Sequence, residues 1–200
     1  MNSRRRSLVQ RARAIALVGA GCFGLGACVR APAAELERRA SAIERERDPD
    51  RLLARAHAFA SVGDYPRAEQ YLEAARAAGV EEAQIVPLLL EVCVRDRRYR
   101  SAVEHAEEYL RVRPSDLRVR LVLASLYSGL GEAEAARREF ERVVLQNSRE
   151  ARAHFALGRL LRDELGHHAA ADAHFRAYLE IEPRGMHAEE ARSSLLTRVR

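Results

Sequence analysis

The 200-residue chain contains no lysine: all 34 of its basic residues are arginine. Beside an alanine-rich composition, this marks coding bias and not a binding device. Cysteine is scarce, at three. Cys22 and Cys28 fall in an amino-terminal stretch that processing is expected to remove or modify, so Cys93 alone remains and an intramolecular disulfide is excluded. Residues 1–27 hold no acid at all, only Arg4, Arg5, Arg6, Arg11 and Arg13 as charges. The apolar stretch that follows, Ala14 to Ala27, is broken by four glycines. It falls short of the roughly 20 residues a membrane-spanning helix needs. No strained nucleophile turn and no phosphate-cradling loop occurs in the chain. Gly19-Ala20-Gly21-Cys22-Phe23-Gly24 matches a dinucleotide-binding string, but no strand precedes it and it is discarded.

A basic head, a short apolar middle and small residues at the end describe a secretory signal over residues 1–27. Leu25-Gly26-Ala27-Cys28 resembles the bacterial lipobox, which implies lipidation of Cys28 and a membrane anchored through that lipid. The rival site, Cys22, has Gly19 where a branched aliphatic is wanted. Arg5-Arg6-Ser7-Leu8-Val9 loosely resembles a twin-arginine signal, and a general secretory head is the simpler alternative. Without the five signal arginines, 29 basic residues face 29 acidic ones. The sequence pI near 9.5 therefore belongs to the signal, and no nucleic-acid partner is expected. Residues 28–48 form the anchor and a mixed-charge helical linker, with Leu36, Ala40 and Ile43 at helical spacing and pairs such as Glu35–Arg39.

The rest of the chain repeats itself. Ala68, Ala102, Ala136 and Ala171 recur at steps of 34, 34 and 35, and Leu72, Ala106, Phe140 and Phe175 keep the same register. So do Val80, Pro114, Ser148 and Pro183, while Ala56, Leu90, Ala124 and Gly158 recur at 34. A period of this length marks a helix–turn–helix solenoid. The small residues stand where two helices cross, and the larger ones fill the groove beside the crossing. Four units fit residues 49–185, at about 49–82, 83–116, 117–150 and 151–185, with an added residue near Asp163-Glu164-Leu165-Gly166. Asp48-Pro49 opens the first helix. Because an interior proline is costly, the first helix of the second unit is expected to begin near Val86, just before Pro87. A closing helix is expected from Met186 to Val199, its stripe Ala188, Ala191, Leu195 and Val199. Cys93, on the stripe of Leu89, Leu90 and Val94, is expected to be a buried, inert thiol.

Leu157-Gly158 with Leu161, then Ala171, Phe175 and Pro183, resembles the tetratricopeptide repeat, as does Leu123-Ala124 with Tyr127, Ala136 and Phe140. The large opening residue of that pattern is Leu52 and Val86, but then Arg120 and His154. The resemblance implies an all-α, right-handed superhelical solenoid of four repeats with a C-terminal capping helix. It further implies a non-catalytic scaffold whose first helices line a concave groove for a peptide or helix of another protein, without cofactor or small-molecule substrate. Residues so placed are His57, Glu91, Arg95, Arg118, Leu121, Ser125, Arg152, Phe155, Arg159 and Arg162. In the fourth repeat Arg152, Arg159 and Arg162 suit carboxylates, and Phe155 supplies an anchor. The asparagine and lysine clamp of chaperone-binding relatives is not visible. Anchor and solenoid together resemble the repeat lipoproteins of type IV pilus biogenesis or outer-membrane assembly, which implies a place on the periplasmic side of the outer membrane. The alternative is a non-catalytic recruiter of an envelope hydrolase or peptidase. His154, His167, His168 and His174 cluster in sequence, but His168 and His174 are six apart, so they are expected to be surface side chains and not metal ligands.

Overall fold

A computed structural model of the chain describes residue 46 and residues 48–196. The signal, Cys28 and the linker helix expected over residues 34–47 lie outside these described residues.

Among the described residues nine helices follow one another: α1 Pro49–Ser61, α2 Tyr65–Ala77, α3 Glu82–Arg95, α4 Tyr99–Val112, α5 Leu117–Gly129, α6 Ala133–Gln146, α7 Ala151–Asp163, α8 His168–Ile181 and α9 Ala188–Ser193. The first eight form four helix–turn–helix units, and each helix packs on its neighbours in sequence. Asp48 starts α1 by accepting from the amides of Asp50 and Arg51 at 3.1 and 3.3 Å, satisfying donors that the helix cannot. Asp64 and Asp116 do the same for α2 and α5.

The recurring alanines lie where the spacing puts them. Ala68, Ala102 and Ala136 are fully buried and Ala171 is nearly so, and Leu72, Ala106, Phe140 and Phe175 are buried beside them. Gly158 shows how close the crossing is, since a Cβ there would lie 2.9 Å from the Phe175 ring. The core forms two clusters, one running from Leu52 to Leu126 and one from Leu121 to Ala191. Helix α5 serves both, giving Val119 and Leu123 to one and Leu121 and Ala124 to the other. No unit closes a core alone, and stacking completes it.

The turn within each unit reverses the chain through one residue of positive φ: Gly63, Arg97, Gly131 and Gly166. The first three turns have three residues and the fourth has four, Glu164 to His167, which absorbs the added residue. Arg97 stands at φ 59° where the other units use glycine.

Three expectations need correction. Pro87 lies inside α3, which begins at Glu82 and not near Val86. An interior proline costs about 3 kcal/mol. Ile85 and Val86, in the turn it would have cut off, are buried and each contributes about 1.5–3 kcal/mol by that burial. Tertiary packing therefore outweighs the lost ladder bond. The closing helix is short: it spans Ala188–Ser193, and Met186 is exposed before it. The hydroxyls of Ser193 and Ser194 both bond the Glu190 carbonyl, at 2.9 and 2.7 Å. The Leu196 amide donates to Asp172 Oδ1 at 2.8 Å and draws the chain off the helix axis. Leu195 packs on the core from outside the helix, and Val199 lies outside the described residues. Finally, His154 and His174 are not surface side chains. His154 is buried, His174 is half-buried, and the two rings face each other.

Candidate partner-binding face

The side chains that the first helices leave unpacked recur at 34-residue steps. His57, Glu91, Ser125 and Arg159 form one row, and Arg118 and Arg152 belong to another. Helix α1 packs beside α3, and α5 beside α7. Between α3 and α5 a cleft of about 340 Å³ opens, walled by Pro87, Leu90, Glu91, Val94 and Arg95 on one side and by Arg118, Val119 and Val122 on the other. A second cleft of about 500 Å³ adjoins it through Val94 and Val122, and reaches Tyr99, Leu121, Ser125 and Arg152. A third shares Leu121, Ser125 and Arg152 and extends to Phe155, Arg159 and His187. Shared walls make these one continuous channel across α3, α5 and α7.

Its floor is apolar. Leu121 is buried, Val94 is half-buried, and Val122 and Tyr99 are 37 % and 42 % exposed. Its rims are charged. Glu91 and Arg95 pair with each other at 2.9 Å. Arg118 is exposed along most of its side chain, with Asp116 3.9 Å away. Arg152 is exposed and has no ion pair among the described residues. Arg159 lies 3.9 Å from Asp163 and 3.5 Å from Glu190. Across the channel, four arginines thus face three acids, Glu91, Asp163 and Glu164.

The structure distributes the remaining sequence candidates differently. His57 is exposed on α1, one unit away from the channel. Phe155 is buried: the His187 ring stacks on it at 4.0 Å with 9° between planes, and Phe175 and Tyr178 pack at its edges. Arg162 is tied to Asp163, to the Ser194 hydroxyl and to Glu190, and lies over the Phe175 ring. It fastens the carboxy-terminal segment to α7. Cys28 lies outside the described residues. Pro87, Val94, Tyr99 and Val122 were missed by the sequence reasoning. Val122 carried a signal, an apolar residue between Leu121 and Leu123 on a helix with more apolar positions than one face can bury.

A larger hollow of about 740 Å³ lies between α8 and α9, walled by Leu179, Pro183, Glu189 and Leu195 among others. It opens because α9, at six residues, covers only part of α8. Cys93 is fully buried, and burial pushes its thiol pKa up despite Arg98 nearby. Among the described residues no three His, Cys, Asp or Glu side chains are grouped to hold a metal ion. No helix among them is long and apolar enough to cross a membrane.

Sequence profiles of the tetratricopeptide repeat match residues 53–116, 94–160 and 151–184, together well over half of the chain. The chain is a tetratricopeptide repeat protein. Several solved structures share its fold. One from Parabacteroides merdae is 22 % identical with a TM-score of 0.65, covering 73 % of this chain and 58 % of its own. This chain thus spans little more than half of that relative. MamA is 17 % identical with a TM-score of 0.63, covering 72 % of this chain and 78 % of its own. YrrB, described as having an unusual peptide-binding site, is 19 % identical with a TM-score of 0.63, covering 80 % and 84 %. Identities this low speak for the fold alone. No curated protein matches the chain.

Proposed function

We propose that this tetratricopeptide repeat protein is a scaffold of the bacterial cell envelope, held to the membrane by a lipid on Cys28, whose channel across α3, α5 and α7 takes a segment of another protein. The observation that carries this is the channel itself, an apolar floor open to solvent between rows of arginine. Val94, Leu121 and Val122 suit apolar side chains of an extended or helical segment. Arg95, Arg118, Arg152 and Arg159 suit its carboxylates, and a planar guanidinium fork can grip each in two places. YrrB, a relative in fold, is described as having a peptide-binding site, which supports a peptide occupant here. The amino-terminal signal and the Leu25-Gly26-Ala27-Cys28 sequence support the anchor. Assembly of a pilus or of outer-membrane proteins is the setting that best joins an anchor to a solenoid.

Two experiments test the two halves separately. Fatty-acid labelling in native cells should mark the protein and fail with Cys28→Ser; a labelled variant contradicts the anchor. Crosslinking in the same cells should capture an acidic partner that is lost with Arg118→Glu/Arg152→Glu. Capture that survives this double reversal places the contact elsewhere.

A further inference from the structure

The third and fourth repeats solve one packing problem with different chemistry. The opening position of the first helix holds Leu52, Val86, Arg120 and His154, at steps of 34. The second-helix position that meets it in the third and fourth repeats holds Glu139 and His174, and the same register in the first two holds Tyr71 and His105, at steps of 34, 34 and 35. In the third repeat, Arg120 Nη1 donates to Glu139 Oε2 at 2.5 Å and Nη2 donates to the Pro114 carbonyl at 2.6 Å. In the fourth, His154 Nδ1 lies 3.1 Å from His174 Nδ1, and His154 Nε2 lies 3.1 Å from the Ser148 carbonyl. Pro114 and Ser148 are themselves 34 residues apart. Two histidines therefore stand where the preceding repeat has a buried ion pair, and they hold the same carbonyl at the junction between repeats.

That carbonyl fixes the protons. It only accepts, so His154 Nε2 carries the hydrogen and donates it. In the neutral ring His154 Nδ1 is then an acceptor, and the hydrogen between the rings belongs to His174 Nδ1. A first added proton can enter at His174 Nε2 and leave this chain of bonds intact. A second, on His154 Nδ1, sets two N–H groups head to head between two cations, one buried and one half-buried.

We propose that the His154–His174 pair is a proton-sensitive joint within the fourth repeat: neutral, it ties α8 to α7, which His154 holds to the turn after α6, and acidification loosens α8 from α7. The charged groups around it are few. Glu141 faces His174 from α6, with its carboxylate bonded to Arg137 at 2.7 Å. His154 faces it from α7, and on α8 itself Asp172 and Arg176 bond each other at 2.7 Å. Burial, then the neighbouring His154, holds His174 below the ordinary imidazole value, and Glu141 pulls weakly the other way. The sign follows. The folded state binds protons less readily than the unfolded one, so stability is complete above about pH 6.5 and is lost below it. Each pH unit of that loss raises the open-to-closed ratio by up to about tenfold for such a histidine. Helix α7 carries Arg152 and Arg159, so the joint would alter the channel whatever occupies it.

The test compares thermal unfolding of the full chain with that of His154→Leu/His174→Tyr, the residues that the first repeat holds at these positions. Between pH 7.5 and 5.5 the native chain should lose its midpoint steeply while the variant stays nearly level; parallel curves overturn the joint. Ring-nitrogen NMR of the native chain decides even if the variant fails to fold. Protonated Nε2 on His154 with protonated Nδ1 on His174 at pH 7.5 is expected. Two Nε2–H rings, or a His174 that titrates at or above 6.5, contradict it.

Discussion

Replacing Glu139 by leucine should strongly destabilise the third repeat. Glu139 and Arg120 are 9 % and 6 % exposed. The Glu139 carboxylate is also bonded by Arg142 at 2.7 Å. Without it, the Arg120 guanidinium stays buried with only the Pro114 carbonyl, and its Nε already lacks a partner among the described residues. Breaking a buried pair in this way costs about 3–5 kcal/mol, because the surviving charge is stranded. The loss of the bond to Arg142 adds little, since that side chain is largely in water. Removing both members reverses the outcome. Arg120→Leu/Glu139→Tyr restores the residue types of the first repeat and should be neutral, or stabilising by about 1–4 kcal/mol, because two buried charges no longer need desolvation. Urea unfolding at pH 7 of the native chain, Arg120→Leu, Glu139→Tyr and the double variant closes this cycle, with Glu139→Leu measured beside it. A loss below about 1 kcal/mol for Glu139→Leu would refute the reasoning that this position is a sealed junction between repeats. So would a double variant no better than the single.

Further changes probe other links. Gly158→Ala should lower stability by about 1 kcal/mol, the strain against the buried Phe175 ring exceeding the gain in helix propensity; a higher melting temperature contradicts it. Arg97→Gly should raise stability by about 1 kcal/mol by relieving a side chain held at positive φ; no gain would show that the turn was unstrained. Met186→Ser, at a side chain 88 % exposed, should change stability by less than about 0.5 kcal/mol; a larger loss on thermal unfolding would mean that Met186 packs on the core. As pH falls below about 6.5, the depressed His174 should withdraw stability from the fourth repeat, which the thermal curves of native chain and His154→Leu/His174→Tyr will show.

The helical pairs were legible because one small residue must recur wherever two helices cross, and Ala68, Ala102, Ala136 and Ala171 do so at the repeat length. Boundaries were legible where local chemistry decides them, as at Asp48-Pro49. They were not where distant packing decides them. Pro87 reads as a stop, but Ile85 and Val86 carry the helix through it by burial. The run after Met186 reads as a long helix, but Asp172, on another helix, takes the amide of Leu196. On the candidate face, the family resemblance pointed to Glu91, Ser125, Arg152 and Arg159, which line the channel. It could not say that Phe155 would lie under His187, since that stack depends on where the chain turns after α8. Nor could spacing within a helix reveal His154 and His174, whose meeting is a contact between helices.

The central claim is that the face between α3, α5 and α7 holds the partner. A photo-crosslinking residue placed at Val122, on the channel floor, tests it directly beside one at Leu145, which is 85 % exposed on α6. In native cells the probe at Val122 should capture a partner that Arg118→Glu/Arg152→Glu abolishes, and the probe at Leu145 should not. Capture from Leu145 alone, untouched by the arginine reversals, would put the interaction on the second helices and contradict the account.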